Sequence, residues 1–132
     1  MDSKKHVTNE DLFEFANKAK ENSNAKFSDF HVGAALLTAD KKVYTGCNIE
    51  NYSLSLSICA ERVALFKAFS EGEREFVKIA VVSDDGEYCP PCGACRQVLM
   101  EFAPEIKVLI KESGVIKEID IGELLPYPFD RT

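Results

Sequence analysis

Two short segments, Cys59-Ala60-Glu61-Arg62 and Pro91-Cys92-Gly93-Ala94-Cys95-Arg96, constrain this chain more than any other feature. Together they supply three thiols and one carboxylate. Cys92 and Cys95 are three residues apart, which in the first turn of a helix puts both sulfurs on one side. Cys59 and Glu61 are two apart and would diverge in mid-helix. They converge only if Cys59 opens its helix, and an apolar periodic run does begin there. The fold must therefore bring the N-termini of two helices side by side.

Three thiolates can hold a Zn2+ ion and leave one tetrahedral position free, the pattern of a catalytic site. Helix N-termini lower thiol pKa values and so favour metal ligation. This assigns Cys59, Cys92 and Cys95 as ligands. Glu61 is in reach of the metal without needing to ligate it, and is assigned as the catalytic proton carrier. A Glu in a first helical turn can also be there for the dipole alone. This helix, however, is expected to be buried on nearly every face, where an unpartnered carboxylate is costly. Arg62 and Arg96 each directly follow a motif residue and read as donors to the sulfurs, offsetting their negative charge. Surface salt bridges would explain them as well.

Cys89-Pro90-Pro91-Cys92 offers a second C-x-x-C pair. A closed site of Cys59, Cys89, Cys92 and Cys95 would make the chain a structural-zinc interaction module. The two prolines stiffen that link, so Cys89 would have to turn back sharply, which favours the open site. A redox pair would leave Cys59 and Glu61 unexplained. Cys47, at a strand end, reads as a buried core thiol.

The chain has 132 residues, the size of one domain, which we take as residues 1–132. Its net charge is −6 with no basic stripe, which argues against a nucleic-acid partner and for a small, roughly neutral substrate. Met1-Asp2-Ser3-Lys4-Lys5-His6 starts no apolar segment that could serve as a signal peptide or membrane span. The expectation is a cytoplasmic protein, in which five cysteines point to metal or catalysis rather than disulfides.

The expected elements are a helix over Thr8–Ser23, capped by Thr8 with Asp11, with Leu12, Phe15, Ala16 and Ala19 as its apolar face. Strands follow at Val32–Leu37 and Val43–Cys47, then a helix at Cys59–Ser70 stopped by Gly72. Gly33-Ala34-Ala35 has so little bulk that something can approach it closely. A strand at Val77–Val82, a helix at Cys92–Phe102, strands at Ile106–Ile110 and Ile116–Ile121, and a short helix at Ile121–Leu125 complete the chain. The order predicts an α/β fold, a three-layer α-β-α sandwich around a mixed five-stranded sheet. The loop Glu50–Ser57 precedes the metal motif, where substrate-holding loops are common.

Cys59-Ala60-Glu61 with Pro91-Cys92-Gly93-Ala94-Cys95 is the three-cysteine form of the zinc nucleobase-deaminase signature. Beyond it, Phe27-Ser28-Asp29-Phe30-His31-Val32-Gly33-Ala34-Ala35, Gly46-Cys47-Asn48-Ile49-Glu50-Asn51 and Leu124-Leu125-Pro126 resemble the small homotetrameric cytidine deaminases of nucleoside salvage. The resemblance runs over almost the whole chain. It implies a cytidine deaminase-like fold and hydrolytic deamination of cytidine and 2′-deoxycytidine to uridine and 2′-deoxyuridine. It further implies that Asn48 and Glu50 hold the ribose hydroxyls and that Phe30 lines the pocket. By the same likeness, the backbone near Ala60 reads the pyrimidine edge. Phe129 covers the base in a neighbouring subunit, so active sites are shared within a homotetramer. Apart from the resemblance, Asn48 and Glu50 read as a polar loop, and Phe30 and Phe129 as core or interface aromatics. Leu54-Ser55 stands where the family usually carries Tyr-Gly, Lys26 where a proline is common, and Tyr127-Pro128 where small residues precede Phe129. A related branch that deaminates cytosine antibiotics such as blasticidin S is the alternative substrate class.

Overall fold

The computed structural model describes residues 6–84 and 89–130. The Met1–Lys5 segment considered above for targeting lies outside them. Among the described residues, no helix is long and apolar enough to cross a membrane.

Helix α1 spans Asn9–Lys20. Thr8 Oγ1 accepts from Asp11 N at 3.1 Å, and Asp11 Oδ2 accepts from Thr8 N at 3.0 Å. The reciprocal pair satisfies two amides that the helix itself leaves unpaired. Its buried face is Leu12, Phe13 and Ala16. The expected face had Phe15, which the structure leaves exposed. Phe13 and Phe15 flank the stripe through Leu12 and Ala16 on either side, and packing against the sheet selects Phe13. The helix also ends at Lys20 rather than Ser23.

Strands β1 (Gly33–Thr38), β2 (Val43–Cys47), β3 (Phe76–Val82), β4 (Lys107–Glu112) and β5 (Val115–Asp120) form one mixed sheet in the order β2-β1-β3-β4-β5. Only β3 and β4 run parallel; the other neighbours are antiparallel. Strand alternation divides the core. Ala35, Leu37, Ala80, Val82 and Leu109 pack with α1 on one face. Ala34, Leu36, Ile79, Val81, Val108 and Ile110 pack on the other. That second face carries α2 (Ala60–Ser70), α3 (Gly93–Phe102) and the short α4 (Ile121–Leu124). The expected three-layer sandwich is the observed one. Each fully buried Leu or Ile contributes about 1.5–3 kcal/mol to holding the layers together.

Two glycines set the distance between layers. A Cβ on Gly33 would lie 2.0 Å from Ala16 O in α1, so only hydrogen fits. A Cβ on Gly46 would lie 2.4 Å from Ala60 O, the first residue of α2. The second contact seats the start of α2 directly on β2. At its other end α2 closes in a Schellman motif. Gly72, at φ +100°, donates to Phe69 O at 3.1 Å, and Glu73 N donates to Ala68 O at 3.1 Å.

α2 is less enclosed than its composition suggests. It buries Ala60, Glu61, Ala64, Leu65 and Ala68, but Phe66 and Lys67 are exposed. A helix at the edge of the sheet has only one face to cover, whatever its apolar content.

Candidate active site

Cys59 is the N-cap of α2 and Cys92 the N-cap of α3. Both have extended backbone, which aims their side chains ahead of the helix. Cys95 sits in the first turn of α3 and is buried. Cys59 Sγ and Cys92 Sγ are 3.6 Å apart, and all three sulfurs lie within 4.8 Å of one another. Such a cluster can hold a metal ion. Cys89 is not part of it, so the closed four-thiolate set is not formed. Instead Cys89 packs at the edge of the core and lines the cavity described below. Cys47 is half-buried rather than buried, and burial raises its thiol pKa.

The electrostatics favour negative charge on sulfur. A hydrogen bond from Cys95 is the largest influence that pulls the Cys59 thiol down to about 5, with Arg62 and Cys92 assisting against burial. Arg62 Nη2 lies 3.7 Å from Cys59 Sγ, the contact expected from the sequence. Cys95 is pushed upward in turn by donating to Cys59 and by burial. A soft divalent cation would replace the shared protons, and three thiols beside two helix N-termini suit zinc.

Arg96 differs from its expected role. Its Nε donates to Pro91 O at 2.8 Å and its Nη1 to Leu124 O at 2.9 Å, carbonyls rather than a sulfur. The guanidinium points back along α3 and ties the approach to Cys92 to the end of α4. Following a cysteine in sequence does not place a side chain beside that sulfur, because α3 turns it away.

Glu61 is 4% exposed, in the first turn of α2. Burial pushes its carboxyl up to about 7, and the charge on Cys59 adds to the effect. The group is therefore poised to gain and lose a proton near neutrality.

These residues form one end of a cavity of about 260 Å³ lined by Ser28, Phe30, Val32, Asn48, Glu50, Ser57, Ile58, Cys59, Ala60, Glu61, Cys89, Pro90 and Cys92. The structure brings Phe30, Asn48, Glu50 and Ala60 to the same cavity as Cys59 and Cys92. Short backbone bridges fold the far end. Glu50 N donates to Asn24 O at 2.8 Å, and Ile49 and Ile58 exchange bonds at 3.0 Å. Asn48 Oδ1 accepts from Val32 N at 2.9 Å and its Nδ2 donates to Phe30 O at 2.8 Å. One Nδ2 hydrogen remains for a ligand. Glu50 Oε1 accepts from Phe27 N at 2.9 Å and Ser28 N at 3.1 Å, and Ser28 Oγ donates to Oε2. Spare lone pairs on Glu50 beside a spare donor on Asn48 match a hydroxyl, which both gives and accepts a hydrogen bond.

Phe129 does not line this cavity. It is 73% exposed, and its backbone is fixed by two 3.0 Å bonds to the Gln97 side chain on α3. Of the lining residues, Ser28 and Ile58 have no site role in the sequence reading. Ser28 lies within the Phe27–Ala35 segment, but its partner Glu50 is 22 residues away and no local spacing joins them.

Comparison with known proteins agrees with this geometry. Residues 6–111 match the family model described as the cytidine and deoxycytidylate deaminase zinc-binding region. The chain is 52% identical to the cytidine deaminase of Halalkalibacterium halodurans over 120 residues, 89% of this chain and 91% of that one. It is 32% identical to the blasticidin-S deaminase of Bacillus cereus, with 96% of each chain covered. Among solved structures, the cytidine deaminase of Burkholderia pseudomallei superposes with a TM-score of 0.87 at 46% identity, covering 92% of this chain and 99% of that one. With its three sulfurs gathered at two helix N-termini and its length matched almost throughout, this chain belongs to the family of zinc-binding cytidine and deoxycytidylate deaminases.

Proposed function

We propose that the protein catalyses the hydrolytic deamination of cytidine and 2′-deoxycytidine to uridine and 2′-deoxyuridine in pyrimidine salvage. The observation that carries the reading is buried Glu61 beside three convergent thiols at a cavity. Cys59, Cys92 and Cys95 would hold zinc, which when bound activates water. Glu61 takes the proton of the attacking water and passes it to ring N3 as the water oxygen bonds to C4. It then carries the second proton to the amino group, the C4–N bond breaks, and ammonia leaves. The raised carboxyl pKa suits a group that must both accept and return protons. The amide of Ala60, at the start of α2, reads the pyrimidine edge. Phe30 flanks the nucleoside, and Asn48 and Glu50 take a ribose hydroxyl. Arg62 offsets the charge of the sulfurs.

A free nucleoside is a better match than a polynucleotide for a chain of net charge −6. The protein is one domain, works in the cytoplasm, and assembles as a homotetramer in which Phe129 of one copy covers the cavity of another. The exposed ring of Phe129, held outward through Gln97, supports that last element. Deamination of a cytosine antibiotic of the blasticidin S class is the second reading, favoured only by the more distant likeness.

The test is the ultraviolet absorbance of cytidine incubated with zinc-replete protein and with its Glu61→Gln variant. Wild type should convert cytidine, while the variant should lose about 10²–10⁴ in rate and keep its zinc. Near-normal turnover by the variant would remove Glu61 from the chemistry. Failure of the wild type with zinc bound would redirect the search to modified cytosines.

A further inference from the structure

We propose that Ser28 is a positioning residue that latches Glu50 and Phe30 into one preformed arrangement at the open end of the cavity. Its hydroxyl and its backbone amide make three hydrogen bonds that act together. Ser28 Oγ donates to Glu50 Oε2, Ser28 N donates to Glu50 Oε1 at 3.1 Å, and Ser28 Oγ accepts from Phe30 N at 3.0 Å. One hydroxyl thus joins the Glu50 carboxylate to the backbone of the aromatic that flanks the cavity. Phe30 O in turn accepts from Asn48 Nδ2 at 2.8 Å. The hydrogen-bonded path runs Glu50, Ser28, Phe30, Asn48, and it closes because Asn48 and Glu50 share one short segment. Asp29, between the two latched residues, sits at φ 55°, a conformation that a non-glycine residue holds only when its surroundings enforce it. The latch supplies part of that enforcement.

The consequence concerns binding more than chemistry. Glu61 and the thiols stand at the other end of the cavity on helix N-termini, and none of their described bonds reaches Ser28. A free Glu50 carboxylate on an exposed loop would sample several rotamers and lose entropy when a hydroxyl bound. Fixed on two amides and a hydroxyl, it meets the ligand with that cost already met. The Ser28 hydroxyl also contributes most to holding the Glu50 carboxyl below its ordinary range.

The inference rests on the cavity being a cytidine site, and the experiment separates the two. Full-length, zinc-loaded wild type, Ser28→Ala and Ser28→Thr are assayed on cytidine and on 2′,3′-dideoxycytidine. In parallel, the Glu50 carboxyl of each is titrated by carbon-13 NMR. Ser28→Ala should raise KM for cytidine about 10-fold, the loss expected for a hydrogen bond to a charged group, with kcat changed less than about twofold. KM for the dideoxy compound, which lacks the hydroxyls, should stay within about twofold. Ser28→Thr should restore the cytidine value. A KM that rises equally for both compounds, or for neither, overturns the latch. If wild type fails on cytidine, the functional reading fails and the titration decides alone. In Ser28→Ala the Glu50 pKa should move up toward the ordinary carboxyl range, and an unmoved titration overturns the latch whatever the turnover.

Discussion

At the thiol end of the cavity, Cys59, Glu61, Cys92 and Cys95 stand on the first turns of two helices, with Glu61 and Cys95 buried. At the open end, Ser28, Phe30, Asn48 and Glu50 stand on loops tied by side-chain-to-backbone bonds, and Phe30 is 48% exposed. The first end is fixed by the packing of α2 and α3 on the sheet. Its groups have strongly displaced proton affinities: burial and the charge on Cys59 raise Glu61, while hydrogen bonds from Cys95, Arg62 and Cys92 lower Cys59 against burial. The second end is fixed by a small hydrogen-bond network in contact with water. Its strength lies in pre-arrangement rather than in altered chemistry. Proton transfer needs a shifted pKa and fixed distances, which rigid elements supply. Recognition of a hydroxyl needs only paired donors and acceptors, which a braced loop can supply.

Three substitutions would break or sharpen that contrast, in decreasing order of effect. Cys95→Ala strikes the buried thiol. Metal affinity should fall by more than about 100-fold and turnover should vanish with it, as measured by zinc content after dialysis and by cytidine conversion. Retained metal would mean that the cluster is not the ligand set. Gly46→Ala tests whether the thiol end depends on layer distance, since the new methyl would meet Ala60 O at 2.4 Å. Overpacking against backbone should cost about 3 kcal/mol and lower Tm by about 10 °C, with kcat reduced more than KM is raised. An unchanged Tm would show that β2 and α2 can separate at no cost. Cys89→Ser should have the smallest effect. Zinc should remain at about one per chain with the protein folded, because three ligands suffice at an open site. Zinc loss on that substitution would bring back the closed four-thiolate arrangement.

Much of the thiol end was legible in the sequence because its logic is local. The three-residue spacing of Cys92 and Cys95, and the position of Cys59 just before an apolar run, already imply convergence at helix starts. The capping pair Thr8 and Asp11 and the stop at Gly72 were legible for the same reason. Arg96 shows the limit of that reading. It occupies a place in sequence similar to that of Arg62, yet its guanidinium bonds Pro91 O and Leu124 O, while that of Arg62 meets Cys59 Sγ. The difference lies in which side of each helix faces the cluster, and that follows from packing. Phe13 and Phe15 make the same point in α1, where hydropathy alone does not rank two nearby phenylalanines.

The sequence by itself determined the ligand types, the helix starts that carry them and the alternation that builds a two-faced sheet. These depend on neighbours a few residues apart, whose relative geometry the regular elements impose. Only the tertiary structure decided that Cys89 stands outside the thiol cluster, that Glu61 is buried, and that Ser28 meets Glu50 across 22 residues. Contacts of that kind are set by how layers and loops settle against one another, and no periodicity in the chain encodes them.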